Sequence, residues 1–410
     1  MQDVDSFAGV TDDFSEWHRL DDIAGEVGDA FYVYDESALL RDIGDITDAV
    51  ASVVPTVAFR YPYKVNFTPA VCRAIASRDW GAEVDSPMLL WLARRIGVPA
   101  DRITYNGIAR DPASLRDALL AGNLVVLDAD RDVEVALSTA DEAMAPMHVA
   151  IRLNSPTAAY ATPRLGRTRE QVRDTLSALT GHPGIDVLGL TMHTPDPTIE
   201  GVQSRVRDMV DASAEAFPQG PRVIGFGGAL VPPRADLASG YAAVARLIAR
   251  ELERVPWGSR ATVLLEPGAS ALAPAFEFAA RVVDVKAQGS RTVVNVAGSI
   301  FHTSPNTRSV KFPVRVVASS TRGDVSGLRL VGGCTAVDGD WLCVDVPDTT
   351  EIRRGDFLVF ESVGAYSTSM GTHFTDPLPA VVSREGNGWR VVRRQPSFEE
   401  TLAGFEWETA

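Results

Sequence analysis

The chain has 410 residues, 45% apolar and 23% charged, the balance of a folded globular protein and not of a disordered or fibrous one. Its formal net charge of −15 argues against nonspecific binding to nucleic acid or an anionic membrane, which needs a basic surface. Residues 1–13 lack a signal-peptide pattern, no apolar run is long enough to span a membrane, and three cysteines (Cys72, Cys334, Cys343) cannot build a disulfide framework, so a cytoplasmic protein is expected.

A strand-like run at 31–34 comes first, followed by a helical segment to about residue 53. Short apolar runs then alternate with helical stretches. Residues 57–59, 81–84, 103–105, 124–127, 148–152, 187–190, 223–224 and 262–265 read as strands. Helices are predicted from Pro69, around Met88, from Asp111 and from about Asp130. Eight buried-looking strands separated mostly by helices predict a (β/α)8 TIM barrel over residues 36–275. After that the texture changes. Runs at 282–285, 291–296, 314–317, 328–331, 342–346, 357–360, near 381 and at 390–393 read as strands without long helical partners. They predict a β-domain over 276–410, joined by residues 1–35 through the strand at 31–34.

Only three of the 39 basic residues are lysine: Lys64, Lys286 and Lys311. A GC-rich genome explains such a bias on the surface. Arginine, however, cannot replace a primary amine that must form a Schiff base. Lys64, in Tyr61-Pro-Tyr-Lys-Val-Asn66, falls just after the first barrel strand, where barrel chemistry sits. There a lysine binds phosphate, forms an imine or is an ordinary loop residue. Gly227-Gly228 after a strand brings backbone N–H groups to an anion or simply turns the chain. Glu266, in Glu-Pro-Gly, meets a ligand or caps a helix. His193 stacks on a flat cofactor or fills the core. Cys334-Thr-Ala-Val-Asp338 and Gly364-Ala-Tyr366 lie in the β-domain, and each alone is weak, since a cysteine is often just a small buried apolar residue.

Taken together and in order, over about residues 30–400, these motifs resemble the fold-type III pyridoxal 5'-phosphate (PLP) enzymes, in particular the diaminopimelate, ornithine and arginine decarboxylase family. The resemblance implies PLP as cofactor and an alanine-racemase-like barrel with a β-domain. Lys64 looks like the Schiff-base lysine, and Glu83 stands where the family usually has an aspartate. Arg152 matches an arginine of the fifth strand, and His193 the histidine that stacks on the ring. Gly227 and Gly228 match part of the phosphate loop, and Tyr366 a tyrosine reaching the phosphate. Glu266 matches the carboxylate that keeps the pyridine nitrogen protonated, which favours α-decarboxylation over racemisation. Cys334 and Asp338 match a motif contributed by a second subunit, so a homodimer with shared sites is implied. Lys64, His193 and Cys334, the last as proton donor, form the implied catalytic set.

The sequence also departs from the family. Ala229 replaces the third glycine of the phosphate loop, Gly225 the aspartate before it, and Ala269 the arginine after Glu-Pro-Gly. Thr-Pro-Asp196 follows His193 in place of the family's serine-containing motif. Thr335 stands where diamino-acid decarboxylases usually carry an acidic residue, and a neutral hydroxyl does not offset a distal ammonium as a carboxylate does. With the segment 296–308, this looks more like the natural-product branch, whose members act on acylated, carrier-bound or siderophore-conjugated amino acids. The expected substrate set is Asp338, Thr335, His302 and Arg308, the last two meeting an anionic tail. A racemase or epimerase on the same scaffold, and a noncatalytic decarboxylase-like regulator, stay open. No metal, nucleic-acid or membrane partner is expected.

Overall fold

The computed structural model describes residues 7–11, 14–154, 164–194, 196–232, 235–303, 312–348, 350–386 and 388–407. The chain divides into two compact units, residues 40–271 and a discontinuous one of residues 1–39 with 272–410.

Strands β1 (Phe7–Thr11) and β2 (Ala30–Tyr34) flank a helix, Phe14–Val27, in the discontinuous unit. The continuous unit contains β3 (Val57–Pro62), β4 (Gly81–Val84), β5 (Ile103–Tyr105), β6 (Leu124–Leu127), β7 (Met147–Arg152), β8 (Ile185–Thr194), β9 (Val223–Gly228) and β10 (Thr262–Leu265). These eight pair in parallel and close into a barrel, β10 meeting both β9 and β3. Strands β4, β5 and β6 are buried at every residue. A parallel strand covered on both faces has no wet side, so it reads as an unbroken apolar run. Side-chain caps start the helices that follow: Ser86 accepts from Leu89 N, Asp111 from Ser114 N and Asp236 from Ser239 N. Barrel strands and capped helices are joined by short loops, on which the candidate site is built.

The rest of the chain forms β11 (Phe276–Gln288), β12 (Arg291–Val296), β13 (Val314–Val317), β14 (Gly327–Gly332), β15 (Trp341–Asp348), β16 (Phe357–Glu361), β17 (Ala380–Glu385) and β18 (Gly388–Arg393). The sheet runs β1-β13-β16-β11-β12-β14-β15, with β2 paired to β11 and β17. Within it β2 is antiparallel to β11 (Phe31 opposite Ala279) and parallel to β17 (Phe31 opposite Ala380). Phe31, Val33, Ala279, Val317, Phe357, Val359 and Val382 form its core with Leu20, Ile23 and Ala24 of the first helix. Each such large apolar side chain contributes about 1.5–3 kcal/mol by leaving water.

The first helix and β1 were not among the expected elements. The helix carries an amphipathic signal, Leu20, Ile23, Ala24 and Val27, spaced to cover one face. Among the described residues, no helix is long and apolar enough to cross a membrane.

Candidate active site

The C-terminal ends of the barrel strands gather most of the titratable side chains singled out in the sequence. Lys64 sits in a single 3-10 turn, Tyr63–Val65, directly after β3. Its Nζ donates to Glu83 Oε2 on β4 at 2.7 Å, and Asp85 Oδ2 lies 3.9 Å away. Burial alone would lower the amine. Glu83, Asp85 and Glu266 outweigh it and hold the ammonium up to about 12. Glu83 is fully buried, and desolvation raises its carboxyl against the pull of Lys64. Glu266, immediately after β10, is pushed up to about 7 by burial and then by Glu83, with Lys64, Arg152 and Arg60 opposing.

Gly227 fixes the meeting point of two of these groups. A Cβ there would overlap Glu266 Oε2 and come within 3.2 Å of His193 Nδ1, so only glycine lets the strand pass both. Gly228 then turns with φ of +91°, a left-handed value that glycine adopts without penalty. Enclosure, with the cations of Lys64, Arg152 and Arg205, pushes His193 down to about 3, so its ring is neutral at neutral pH. Arg152, the last residue of β7, is buried and donates to Asp128 Oδ2 at 2.9 Å. Asp128 in turn accepts from Gly166 N at 3.0 Å.

The β-domain carries a separate cluster. Cys334 N donates to Gly298 O at 2.8 Å, fixing the backbone of the exposed thiol. Partial desolvation, with Asp340 and Asp376 nearby, pushes that thiol up to about 11, so it keeps its proton at neutral pH. Thr335 donates its N–H and hydroxyl to Asp340 Oδ2 at 3.0 and 2.6 Å. Asp340 Oδ1 accepts from Ser299 Oγ and Ile300 N at 3.0 and 2.8 Å. Asp338 is exposed, and the buried carboxylate of this loop is Asp340. Tyr366 adopts φ of +65°, a strained value for a residue with a Cβ, at the start of the short helix Ser367–Met370.

His302 differs from the expected partner of an anionic tail. It is buried, its Nδ1 accepts from Ser299 N at 3.2 Å, and burial pushes it down to about 4. The ring is uncharged at neutral pH and offers an anion no ionic partner. Arg308 lies outside the described residues.

Lys64, Glu83, His193, Gly227 and Glu266 are therefore brought together directly, with Arg152 felt electrostatically. Cys334, Thr335, Asp338, His302 and Tyr366 belong to the other unit. Three residues escaped the sequence reading: Asp128 behind Arg152, Asp340 behind Thr335, and Arg205, whose guanidinium holds the glycine loop. Arg205 donates to backbone carbonyls, and two of the four donors on Asp340 are backbone N–H groups, which leave no letter in the sequence.

The barrel residues fit a flat, anionic, aldehyde-bearing pyridine. Glu83 Oε1 and His193 Nδ1 are buried without a hydrogen-bond partner among the described residues, whereas buried polar atoms are nearly always paired. The Lys64 amine with the Glu83 carboxylate, the neutral His193 ring, the Glu266 carboxylate and the glycine loop are the donor set that such a group needs. Among the described residues, no group of His, Cys, Asp and Glu is arranged to hold a metal ion.

Residues 40–273 match the family model for the pyridoxal-dependent decarboxylase, pyridoxal binding domain. The chain is 27% identical to diaminopimelate decarboxylase of Deinococcus radiodurans over 395 residues, covering 94% of this chain and 98% of that one. It is 23% identical to the Aquifex aeolicus diaminopimelate decarboxylase over 404 residues, 94% of each. Its fold matches the crystal structure of M. jannaschii diaminopimelate decarboxylase in complex with L-lysine, with a TM-score of 0.82, 18% identity and 93% of each chain covered. It also matches the arginine decarboxylase of Paramecium bursaria Chlorella virus bound to agmatine, with a TM-score of 0.76 and 17% identity over 90% of this chain and 99% of that one.

Proposed function

This chain belongs to the pyridoxal-dependent decarboxylases, and from that premise we propose that it decarboxylates an amino-acid conjugate whose distal end carries no free ammonium, in a specialised biosynthetic pathway. It is a PLP-dependent amino-acid decarboxylase by membership. The observation that supports the site assignment is the convergence of Lys64 with Glu83, of Glu266 with both, and of Glu266 and His193 at Gly227.

When bound, PLP supplies the electron sink for the pair left behind as carbon dioxide departs. Lys64 is the amine that would hold it. Glu83 keeps that amine oriented through the 2.7 Å contact. Glu266 is the carboxylate that would keep the ring nitrogen protonated. His193 lends a neutral ring face, and Arg152, steadied by Asp128, adds positive charge. Gly227 and Gly228 would receive the phosphate. Cys334 holds a proton at neutral pH and would be its donor to the α-carbon. Asp338 and Thr335 face the substrate. The active form is a homodimer in which Cys334 and Asp338 of one copy complete the barrel mouth of the other.

The conjugate reading is supported by Thr335. Its hydroxyl is spent on Asp340, and both oxygens of Asp340 are already occupied by donors, so neither group is left to meet a distal ammonium. A second reading, a free diamino acid, is favoured by Asp376, which lines the small cavity holding Cys334 and Thr335.

Borohydride reduction of the PLP-loaded protein, followed by peptide mass spectrometry, is expected to place a phosphopyridoxyl group on Lys64. Its absence with excess PLP would overturn the site assignment. Carbon dioxide release is expected to be at least tenfold faster from amino acids acylated at the distal nitrogen than from the free diamino acids. The reverse order would establish the second reading.

A further inference from the structure

We infer that Arg205 is the positioning residue of the phosphate loop, doing from behind the backbone what the missing third glycine and arginine do in other ways elsewhere. This rests on the PLP reading above. Arg205 lies on the helix Ile199–Ala216 and is almost fully buried. Its Nη1 donates to Gly227 O at 3.2 Å, and its Nη2 donates to Ala229 O at 3.1 Å and to Asp196 O at 3.3 Å. One planar guanidinium thus grips both ends of the loop that begins with the two glycines, and ties it to the chain segment that follows His193.

The geometry has a directional consequence. No peptide bond of the described chain is cis, and in a trans peptide the N–H points opposite to the carbonyl. With the carbonyls of Gly227 and Ala229 turned onto Arg205, the N–H groups of Gly228 and Leu230 are presented on the other side of the loop. Two N–H groups on one side of a glycine turn make an anion-binding concavity. The cation behind the carbonyls also polarises both peptide units, strengthening the N–H ends as donors. Burial of an arginine is costly, and burial lowers this one to about 10. That cost is met only with good acceptors, among them the carbonyls of Gly227, Ala229 and Asp196. Arginine is suited to this because its donors lie in a rigid fork, which a lysine ammonium lacks. The substrate need not touch Arg205, so its effect is confined to the phosphate end of the cofactor.

The test compares binding of PLP and of pyridoxal, which lacks the phosphate, to apoprotein carrying Arg205→Gln or Arg205→Lys. Affinity is followed by cofactor absorbance and the Lys64 adduct by reduction and mass spectrometry. Arg205→Gln is expected to lower the preference for PLP over pyridoxal about 10- to 100-fold, with pyridoxal affinity within threefold of wild type. Arg205→Lys, with one nitrogen for two carbonyls, is expected to lose about five- to tenfold of the preference. An unchanged preference in either soluble variant overturns the proposal, as does a parallel loss of both ligands, the mark of a merely structural role. If wild type forms no Lys64 adduct, the cofactor reading itself fails and takes this inference with it. A Lys64 adduct with wild-type preference retained in the variants overturns the Arg205 role alone.

Discussion

Replacing Gly227 with alanine adds one methyl group at the most crowded point of the barrel mouth. That methyl overlaps Glu266 Oε2 and lies 3.1 Å from Glu266 Cδ, where carbon atoms prefer roughly 3.5–4.0 Å. It also lies 3.2 Å from His193 Nδ1, so moving the histidine alone does not clear it. The carboxylate must swing aside by on the order of 1 Å, and misplacement of that size costs about 10²-fold in rate. The accompanying overpacking costs about 1–3 kcal/mol of stability. Gly225→Ala is the matched control, because its Cβ would press on Thr191 Cγ2 at 2.8 Å, without Glu266 among its nearest neighbours. Carbon dioxide release and thermal unfolding are measured on both variants with saturating PLP. Gly227→Ala is expected to lose about 100-fold in kcat, while Gly225→Ala loses comparable stability and stays within about fivefold of wild-type kcat. Equal losses of kcat in the two, or an active Gly227→Ala, would refute the reasoning that Glu266 must sit where the glycine lets it.

Two further outcomes follow from buried carboxylates. Glu266 is raised above its ordinary value of 4.5, so its contribution to apoprotein stability is full below that pH and is lost as pH rises through about 7. The stability of wild-type apoprotein relative to Glu266→Gln should therefore fall by about 3 kcal/mol between pH 4.5 and 8, and a pH-independent difference in denaturant titrations would contradict it. Asp340→Ala strips four donors of their acceptor and is expected to cost about 3–5 kcal/mol, and to raise the reactivity of Cys334 toward a thiol reagent as its loop loosens. Unchanged thiol reactivity would show that the loop is held by other contacts.

The barrel was legible because its strands are covered on both faces, so runs such as Leu124-Val-Val-Leu127 stand out against the polar helices around them. Lys64 was legible as one of three lysines and by its place just after a strand, and Glu266 because it ends a strand beside proline and glycine, which mark where a strand stops. The first helix was not, although its apolar spacing is regular, because its partners Val317, Phe357 and Val382 lie hundreds of residues away. Arg205 looked like any helix arginine, since backbone carbonyls have no sequence signature. The motif spacing drew attention to Asp338, while the carboxylate that organises the loop is Asp340, two residues on and equally acidic in the sequence. His302 was expected beside an anion, and only the packing around it shows a ring stripped of charge.

The placement of β2 has a consequence for how the chain is made. Both of its hydrogen-bonding neighbours, β11 and β17, are encoded beyond the whole barrel. A ribosome adding about 5–20 residues per second needs roughly 12–50 s to go from Tyr34 to Phe276. Throughout that time the newly made Ala30–Tyr34 segment, with its run of aromatic and β-branched side chains, has no strand to pair with. It is an open edge of the kind that recruits other chains. The barrel can collapse as soon as its own strands emerge, but the second unit must wait for translation to bring back its missing half. Crowded expression should therefore penalise this protein at the nascent stage, and holding chaperones should matter more for its first 40 residues than for the barrel that follows.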